Sequence, residues 1–345
     1  MPPKLLLTGA TGFIGYYLSH ALAAAGRPFT ALVRPGSDTT VLRELSAWCT
    51  LVEGDVTDPE SLLDALEGID TVIHAAACVS YQSGDEDRML KVNAGGTANL
   101  VNMMLETGTP RLVYLSSVAA LNRVDGGRVV ELVDRWPLEE PNTPYARSKF
   151  AAEREVWRGQ AEGLSVGVVY PAVVLGAGNW NGSNIPALWR RAAAGSSVYP
   201  RGSAGFVDVR DVVAAVLVMV QRGIDRDRFL LSAANLDWKE VLTRVAESVS
   251  AKPPTYAMPS WQSALLWPVE SLRARLTDET PLLTQATHRS LQASFRYDGS
   301  HYVTETGRHY VPIEETIREV GKAFLMSRAM GEGLRPTYLP LLDEV

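Results

Sequence analysis

The sequence has few of the residues from which disulfide frameworks and metal sites are built. Its 345 residues include two cysteines, Cys49 and Cys78, and neither belongs to a C-x-x-C pair. So low a cysteine content is typical of a reducing compartment. The five histidines are scattered along the chain without the spacing of zinc ligands. We therefore expect no disulfide framework and no bound metal.

The sequence also lacks an excess of positive charge and a long apolar segment. The chain has 33 Lys and Arg against 39 Asp and Glu, a formal net charge of -6. It therefore carries no overall positive charge that would attract nucleic acid or an anionic membrane. The longest uncharged apolar stretch, 164–175, contains Gly167 and Pro171 and is too short to span a bilayer. The N-terminal segment has no apolar region of signal-peptide length. We expect no nucleic-acid partner, no stable membrane insertion and a cytoplasmic location.

Apolar residues make up 46% of the chain, and their spacing predicts the fold class. Through the first half, short apolar runs alternate with amphipathic segments. Strands that alternate with single helices predict a parallel sheet covered on both faces, which is the doubly wound α/β Rossmann fold. The predicted strands are 5–8, 29–33, 51–52, 71–74, 112–115 and 165–170, and the predicted helices are 13–25, 59–66, 93–107 and 145–162.

The character of the sequence changes after about residue 175. Tryptophans and prolines become frequent, and 206–220 with 229–232 predict a strand, a helix and a second strand that return to the sheet. The rest predicts irregular helices and loops. We divide the chain into a sheet domain, a smaller C-terminal α/β lobe and a tail, which comprise 1–175 with about 206–232, 176–205 with 233–335, and 336–345.

A glycine loop lies between the first predicted strand and the first predicted helix. It reads Thr-Gly-Ala-Thr-Gly-Phe-Ile-Gly over residues 8–15. Gly9 permits a tight turn, Gly12 lets the backbone approach a pyrophosphate at the helix N-terminus, and Gly15 allows the helix to pack closely on the strand. The loop predicts a dinucleotide site, and the alternative is three glycines needed only for packing. The candidate cofactor-binding residues here are Gly9, Thr11, Gly12, Phe13, Ile14 and Gly15.

The residue after the second predicted strand indicates which dinucleotide is bound. An acidic group there accepts hydrogen bonds from the 2′-OH of NAD, whereas an arginine suits the 2′-phosphate of NADP. Arg34 follows Val33, and the next acid, Asp38, comes four residues later. The sequence therefore favours NADP(H) over NAD(H). The alternative is that Arg34 is a solvated loop arginine.

Tyr145 and Lys149 form a Y-x-x-x-K pair within a predicted helix. Positions i and i+4 share a helix face, so the ammonium can stand beside the phenol. Nearby positive charge lowers the pKa of a tyrosine from its usual value of about 10 toward the range of a working acid–base group. The pair predicts Tyr145 as general acid or base and Lys149 as the residue that adjusts it, although this spacing also arises by chance.

Ser116 and Ser117 end the fifth predicted strand. Ligands of a doubly wound sheet bind at the carboxyl ends of its strands, so Ser117 is placed to donate a hydrogen bond to a substrate oxygen. Ser116 is the weaker candidate, as a residue that positions the backbone. The alternative for both serines is turn chemistry at a strand end.

In combination these motifs resemble the extended short-chain dehydrogenases/reductases of the NAD-dependent epimerase/dehydratase superfamily. The resemblance runs from residue 4 to about residue 330. The motifs that carry it are the glycine loop, Asp55-Val56, His74-Ala75-Ala76-Ala77, Asn93 with Gly96-Thr97, Ser116-Ser117 and Tyr-Ala-Arg-Ser-Lys at 145–149.

The resemblance implies a role for each motif. Ser117, Tyr145 and Lys149 would form the catalytic triad, and Asn93 would shape the helix behind the site. Val79 and Val118, with Tyr145, are the candidate substrate contacts. The further cofactor contacts are Asp55 and Val56 at the adenine, Ala75, Ala76 and Ala77 along the cofactor channel, Ser116, Tyr145 and Lys149 at the ribose and active site, and Pro171 and Val173 beside the nicotinamide.

Departures from the family patterns indicate which branch of the family the sequence resembles. Family dehydratases carry two acidic residues after the catalytic hydroxyl residue, whereas Val-Ala follows Ser117. Nucleotide-sugar epimerases usually carry an Asn shortly after the sixth strand, and 170–176 has none. The segment looks more like the dihydroflavonol-reductase and 3β-hydroxysteroid-dehydrogenase branch. Tyr170 stands where the family usually has Arg before the Pro, and Asp208 stands where it often has His.

The expected function is an NADPH-dependent ketone reductase, or the reverse secondary-alcohol dehydrogenase, on a small apolar or aromatic substrate. Aromatic residues of the lobe support an apolar pocket and equally a core for the lobe itself. The segment 261–267 also fits an amphipathic lid on a membrane. The aromatic residues in question are Trp180, Trp189, Tyr199, Tyr256, Trp261 and Trp267.

Two other functions fit the sequence. An epimerase of a sugar-like substrate would oxidise its substrate transiently, with no net change in the cofactor. A dinucleotide-sensing protein on the same fold would carry an altered Tyr or Lys, and both are intact here. Fold does not fix function. In each case we expect a small-molecule ligand and a monomer or homodimer.

Overall fold

The structure is a computed structural model that describes residues 3–80, 84–121, 129–132, 143–180, 185–222, 227–259, 291–330 and 336–342. The strands are β1 (Leu5–Thr8), β2 (Phe29–Val33), β3 (Cys49–Glu53), β4 (Thr71–His74), β5 (Arg111–Leu115), β6 (Val129–Val130), β7 (Ser165–Pro171), β8 (Val173–Leu175), β9 (Val198–Tyr199), β10 (Ser203–Asp208), β11 (Arg228–Leu231), β12 (Ala234–Asp237), β13 (Tyr256–Ala257) and β14 (Arg296–Tyr297). The helices are α1 (Phe13–Ala24), α2 (Pro59–Leu66), α3 (Glu86–Met89), α4 (Gly96–Thr107), α5 (Pro144–Ala161), α6 (Ala187–Ala193), α7 (Val209–Arg222), α8 (Trp238–Ser248), α9 (Ser300–Thr306) and α10 (Ile313–Ala329).

A parallel sheet of seven strands forms the centre of the described chain, in the order β11-β7-β5-β4-β1-β2-β3. Every neighbouring pair in it is parallel. The direction of winding reverses beside β1, since β2 and β3 lie on one side and β4 on the other. Folds of this class bind their ligands outside that switch point. The expected doubly wound α/β fold is confirmed.

Both faces of the sheet are covered. Leu5, Leu6 and Leu7 of β1 are each no more than 1% exposed, although successive residues of a strand point to opposite faces. Leu5 and Leu7 share an apolar cluster with α1 and α7, while Leu6 shares another with α2, α4 and α5. A continuous apolar run is what a strand buried on both faces requires, and this is why the first strand could be read from the sequence.

One predicted strand joins a different sheet. β11 returns to the main sheet beside β7, as predicted. β10 instead pairs in parallel with β8 and antiparallel with β12, in a separate sheet of three strands. The prediction that 206–232 returns two strands to the main sheet is therefore wrong for β10, because β11 already occupies the edge of β7.

Two aromatic residues of the lobe belong to its core. Trp180 and Trp189 are fully buried; the Trp180 ring lies edge-on to Phe324, with centroids 5.3 Å apart, and Trp189 Nε1 donates a hydrogen bond to Ser248 Oγ at 3.1 Å. The segment 261–267, considered above as a lid, lies outside the described residues.

Three further findings bear on the expectations from composition. Within the described ranges, no helix is long and apolar enough to cross a membrane. Cys49 and Cys78 are both free thiols, the first buried. In the same part of the chain, no group of three or more His, Cys, Asp or Glu side chains is arranged to hold a metal ion.

Candidate active site

The glycine loop turns sharply at the end of β1. Gly9 has a φ of 75°, and a Cβ at this position would lie 2.7 Å from the backbone nitrogen of Ala76. A Cβ at Gly15 would lie 1.9 Å from the carbonyl oxygen of Gly9. Both positions therefore require glycine for close backbone packing, which brings the first turn of α1 against β1 and the loop against the segment after β4.

The N-terminus of α1 fits an anionic group. Among the described residues no side chain caps this helix, and its first turn contains no acid. The first backbone N–H groups of a helix have no intrahelical partner and carry partial positive charge. Thr11 and Gly12 are exposed, and Phe13 and Ile14 are half-buried. The residues present thus suit the pyrophosphate of a dinucleotide.

The ends of β2 and β3 lie beside the glycine loop. Arg34 is exposed directly after β2. Asp55 is half-buried, and its Oδ1 accepts a hydrogen bond from the Thr57 backbone N–H at 2.8 Å. Val56 is buried, and its carbonyl accepts a hydrogen bond from Asn99 Nδ2 at 3.0 Å. Both residues are thus held in a fixed turn that follows β3.

The segment after β4 is fastened to the glycine loop. The Ala75 N–H donates to the Thr8 carbonyl at 3.3 Å, and the Ala76 N–H donates to Thr8 Oγ1 at 3.2 Å. Ala75 and Ala76 are half-buried, while Ala77 is exposed. Val79, a candidate substrate contact two residues further on, is 49% exposed.

Ser117 begins a short turn at the end of β5. Its Oγ accepts a hydrogen bond from the Ala119 N–H at 3.1 Å and so caps the 3₁₀ turn of Val118–Ala120. Val118 is buried. Ser117 is half-buried, so its hydroxyl can still donate its proton to an incoming oxygen.

Tyr145 and Lys149 lie in the first two turns of α5. Thr143 caps this helix by accepting a hydrogen bond from the Ala146 N–H at 3.2 Å, and Pro144 occupies the first helical position, where proline is favoured. α5 packs against the turn that Ser117 begins. The three candidate catalytic residues therefore lie at one edge of the sheet.

Lys149 is buried and holds two hydrogen bonds to β5. Its Nζ donates to the Leu115 carbonyl at 2.7 Å and to the Tyr114 hydroxyl at 3.2 Å, and it lies 4.7 Å from the centre of the Tyr114 ring. Burial lowers the pKa of Lys149 to about 8, while the charge of Glu153 acts in the opposite direction. The charge of Glu153 therefore helps to keep the Lys149 ammonium protonated near neutral pH.

Tyr145 precedes this lysine by four residues on α5, so the two positions share a helix face. Burial raises the pKa of Tyr114, the partner of Lys149, well above the usual value, and Glu153 and then Tyr145 raise it further. Tyr145 itself is half-buried, whereas Lys149 is buried.

Glu153 was not predicted from the sequence, yet it joins several parts of the site. It is 1% exposed. Its carboxylate accepts hydrogen bonds from Ser116 Oγ at 2.6 Å, from Trp157 Nε1 at 3.1 Å and from the Tyr170 hydroxyl. Burial raises the pKa of Glu153, and these three donors and Lys149 oppose the rise.

The carboxylate of Glu153 accounts for the orientation of the Ser116 and Tyr170 hydroxyls. Ser116, a candidate cofactor contact, directs its hydroxyl to Glu153. Tyr170, which replaces the family's usual Arg, donates to the same group. The sequence signal for Glu153 was its position four residues after Lys149, on the same helix face.

A chain of buried polar groups connects the glycine loop to Lys149. His74 Nδ1 lies 2.7 Å from Thr8 Oγ1, and His74 Nε2 lies 3.1 Å from Thr97 Oγ1. The His74 ring in turn lies 5.6 Å from the ring of Tyr114, the partner of Lys149. Burial and then Lys149 lower the pKa of His74 to about 3, so the imidazole is neutral in the working range.

Asn93 lies in a π-helical turn, Leu90–Gly95, where the sequence predicted ordinary helix. Its Oδ1 accepts from the Cys78 N–H at 2.7 Å, and its Nδ2 donates to the Cys78 carbonyl at 2.9 Å and to Ser148 Oγ at 2.9 Å. Asn93 therefore connects the segment after β4 to α5. Turns of this kind are frequent at functional sites.

The two remaining candidates border the switch from β7 to β8. Pro171 is buried at the end of β7, where it pairs with Leu231. Val173 is half-buried in β8 and pairs with Phe206. Both lie at the carboxyl edge of the sheet.

Comparison with known proteins identifies the family. Residues 5–231 match the model of the NAD dependent epimerase/dehydratase family. The chain belongs to this family. It is therefore an NAD(P)-dependent enzyme acting on CH–OH or C=O groups, as expected from its motifs.

Individual relatives cover most of the chain. "Sterol demethylase protein B" of Methylococcus capsulatus is 31% identical over 307 residues, which are 88% of this chain and 92% of the relative. "Cinnamoyl-CoA reductase 1" of Petunia hybrida is 29% identical over 269 residues, 74% of this chain and 78% of the relative. The crystal structure of gox2253 is 27% identical, with a TM-score of 0.78 over 95% of this chain and 99% of that one.

Proposed function

We propose that this enzyme is an NADPH-dependent oxidoreductase that interconverts a ketone and a secondary alcohol. The observation that carries the proposal is the buried Lys149 ammonium, which is held at the end of β5, two residues before Ser117, and follows Tyr145 by one turn of α5. A phenol needs such a charge beside it to exchange protons near neutral pH.

In the reductive direction each of the three residues has one task. Tyr145 donates its proton to the carbonyl oxygen of the substrate, and Ser117 donates a hydrogen bond to the same oxygen. Lys149 stabilises the phenolate that remains on Tyr145. When bound, the nicotinamide supplies the hydride. Ser116, Tyr145 and Lys149 border the cofactor in this arrangement.

The preference for NADPH rests on Arg34. It is exposed directly after β2, on the same edge as the uncapped N-terminus of α1. A guanidinium can hold a 2′-phosphate through two parallel hydrogen bonds. Asp55, Val56 and the segment Ala75 to Ala77 are proposed to line the adenine and the channel, and Pro171 and Val173 the nicotinamide.

The proposed substrate is a small apolar or aromatic ketone, bound between the sheet domain and the lobe of 176–205 and 233–335. Two observations support this. The names of two relatives contain a sterol and a cinnamoyl group, both of which are largely apolar. The residues proposed to touch the substrate besides Tyr145 are also apolar, namely Val79 and Val118.

A matched panel of ketones tests this proposal. NADPH oxidation is followed at saturating cofactor with steroid ketones, aryl ketones and keto-sugars. The KM values of NADPH and NADH are then measured by varying each cofactor at a saturating concentration of an accepted ketone. We expect turnover with members of the first two groups and a lower KM for NADPH than for NADH. Turnover of keto-sugars alone would contradict the proposed substrate class.

Epimerisation is the second candidate, because the matching family model includes epimerases. An epimerase leaves the cofactor unchanged over a full cycle. It would show no net NADPH oxidation with any ketone, would carry oxidised cofactor through purification, and would invert a sugar carbon detectable by NMR.

A further inference from the structure

The last described segment, residues 336–342, crosses helix α1; we call it the C-terminal strap. The Tyr338 ring stacks on the Tyr16 ring, with centroids 3.4 Å apart and planes 12° from parallel. The Leu339 N–H donates a hydrogen bond to the Tyr17 hydroxyl at 3.0 Å, and the Leu339 side chain is buried in the core. The strap therefore packs on the first two turns of the helix that the glycine loop begins.

The strap also holds the segment that follows β8. The Thr337 N–H donates to the Gly178 carbonyl at 3.3 Å, and Trp180 Nε1 donates to Thr337 Oγ1 at 2.9 Å. The Tyr17 hydroxyl, which accepts from the strap, donates to the Ala177 carbonyl at 2.8 Å. One hydroxyl thus joins three segments of the chain.

Residues 176–180 pack against the glycine loop. A Cβ at Gly178 would lie 3.1 Å from the ring of Phe13, and a Cβ at Gly176 would lie 2.9 Å from it. Phe13 is the first residue of α1. The strap consequently fixes the segments on two sides of Phe13, namely α1 itself and residues 176–180.

The segment after β2 also packs against α1. His20, whose ring lies 4.1 Å from that of Tyr16, has its Nε2 3.4 Å from Glu44. Burial raises the pKa of Tyr16 to about 12, with Glu44 adding to the effect. Burial and then the charge of Asp38 raise the pKa of Tyr338. The helix that the strap holds is therefore also in contact with the segment after β2.

We propose that the C-terminal strap is a positioning element of the dinucleotide site. Through the Tyr338 stack and the Leu339 hydrogen bond it holds α1, and through Thr337 it holds residues 176–180, in the arrangement that receives the cofactor. A site held ready in this way does not have to order these segments when the ligand binds. The proposal rests on dinucleotide binding, which the family establishes, and not on the proposed reaction or substrate.

Cofactor titrations of four proteins test the role of Tyr338. The wild type and Tyr338→Ala, Tyr338→Phe and Val245→Ala are titrated with NADPH and with NADH in a calorimeter. Val245 is fully buried in α8, which packs on α6 and α10, so its truncation weakens the core at a residue outside both α1 and the strap. We expect Tyr338→Ala to raise the Kd of both cofactors roughly tenfold, as lost preorganisation does. Tyr338→Phe keeps the stacked ring and should keep the wild-type Kd, as should Val245→Ala.

Two results would overturn the proposal. One is an unchanged Kd in a folded Tyr338→Ala. The other is an equal rise in Tyr338→Ala and Val245→Ala, which would assign the effect to general loss of stability. Neither result depends on which substrate the enzyme reduces.

Hydrogen exchange of the wild type gives a second, independent measurement. If strap docking favours cofactor binding, cofactor binding must favour strap docking by the same factor. The Leu339 amide should therefore exchange roughly tenfold more slowly when NADPH is saturating. An exchange rate unaffected by NADPH would show that the strap and the cofactor site are not coupled.

Discussion

The carboxylate of Glu153 accepts a hydrogen bond from the hydroxyl of Ser116 at 2.6 Å. This bond joins α5, which carries Tyr145 and Lys149, to the end of β5, which carries Ser117. The three proposed catalytic residues therefore owe their relative placement partly to a buried carboxylate that touches none of the reacting atoms in the proposed mechanism.

Glu153→Gln should change the pH dependence of the reaction. The titratable groups that face Lys149 are Glu153, Tyr114 and His74. Removing the negative charge of Glu153 lowers the pKa of Lys149 below about 8. Since activity is lost as pH rises through that pKa, the alkaline limb of kcat should move down by roughly one pH unit. The measurement is kcat from pH 6 to 9.

The amide is a gentle change at this position, since its nitrogen can donate to Ser116 while its oxygen still accepts from Tyr170. Glu155→Gln, a half-buried carboxylate on the same helix that pairs with Arg158, is the matched control and should keep the wild-type profile. An unshifted alkaline limb in Glu153→Gln would show that Lys149 does not depend on this charge.

Tyr145→Phe should lower turnover while leaving cofactor binding almost unchanged. The proton donor is removed while the ring remains, so kcat should fall roughly 100- to 10,000-fold. The Kd for NADPH should stay within about twofold, because the bonds of Lys149 to Tyr114 and Leu115 are unaffected. Steady-state kinetics and calorimetry measure the two quantities, and undiminished turnover would refute the proposed role of Tyr145.

Arg34→Asp should reverse the cofactor preference. The new carboxylate repels a 2′-phosphate and accepts hydrogen bonds from a 2′-OH. We expect the KM for NADPH to rise roughly 10- to 100-fold, the loss of about 1.5 to 3 kcal/mol that a charged hydrogen bond contributes, with a far smaller change for NADH. Arg318→Asp, exposed on α10, is the control. An equal rise in KM for both cofactors would show that Arg34 is a solvated arginine that does not contact the 2′-phosphate.

His74 should make the fold sensitive to acid. Its pKa is about 3 in the folded protein and about 6.5 when unfolded. The unfolded state therefore binds a proton first as pH falls, so the contribution of His74 to stability is constant above about 6.5 and declines by about 1.4 kcal/mol per pH unit between these values. Urea unfolding at pH 6.0 and 4.5 should show His74→Gln losing about 2 kcal/mol less than the wild type.

His309→Gln, at an exposed position, should behave as the wild type in the same measurement. A loss identical in His74→Gln and the wild type would mean that His74 is protonated in the folded protein or exposed to solvent.

The elements that could be read from the sequence are those with local signals. β1 is a continuous apolar run that ends at a glycine, and α2 has Asp58 as its N-cap and a proline in its first turn, so both bounds were predicted as the structure has them. The π-turn at Asn93 has no such signal, because one extra residue in a turn leaves the apolar periodicity almost unchanged.

The features that could not be predicted from the sequence depend on contacts between residues far apart in the chain. β10 reads as an ordinary buried strand, and only its pairing with β8 and β12 places it outside the main sheet. Glu153 reads as a helix surface charge until Ser116 and Tyr170 are brought against it. Tyr338 and Leu339 lie in a short segment without periodicity, so their packing on α1 could be seen only in the folded chain.

The Leu339–Tyr17 hydrogen bond joins residues 322 apart in the chain. During synthesis α1 leaves the ribosome long before the strap exists, since elongation at about 5 to 20 residues per second puts roughly 16 to 64 s between them. The nascent chain thus carries its glycine loop without the segment proposed to hold it ready. The proposal therefore predicts that the full affinity for the dinucleotide appears only after the strap has been synthesised and has packed on α1.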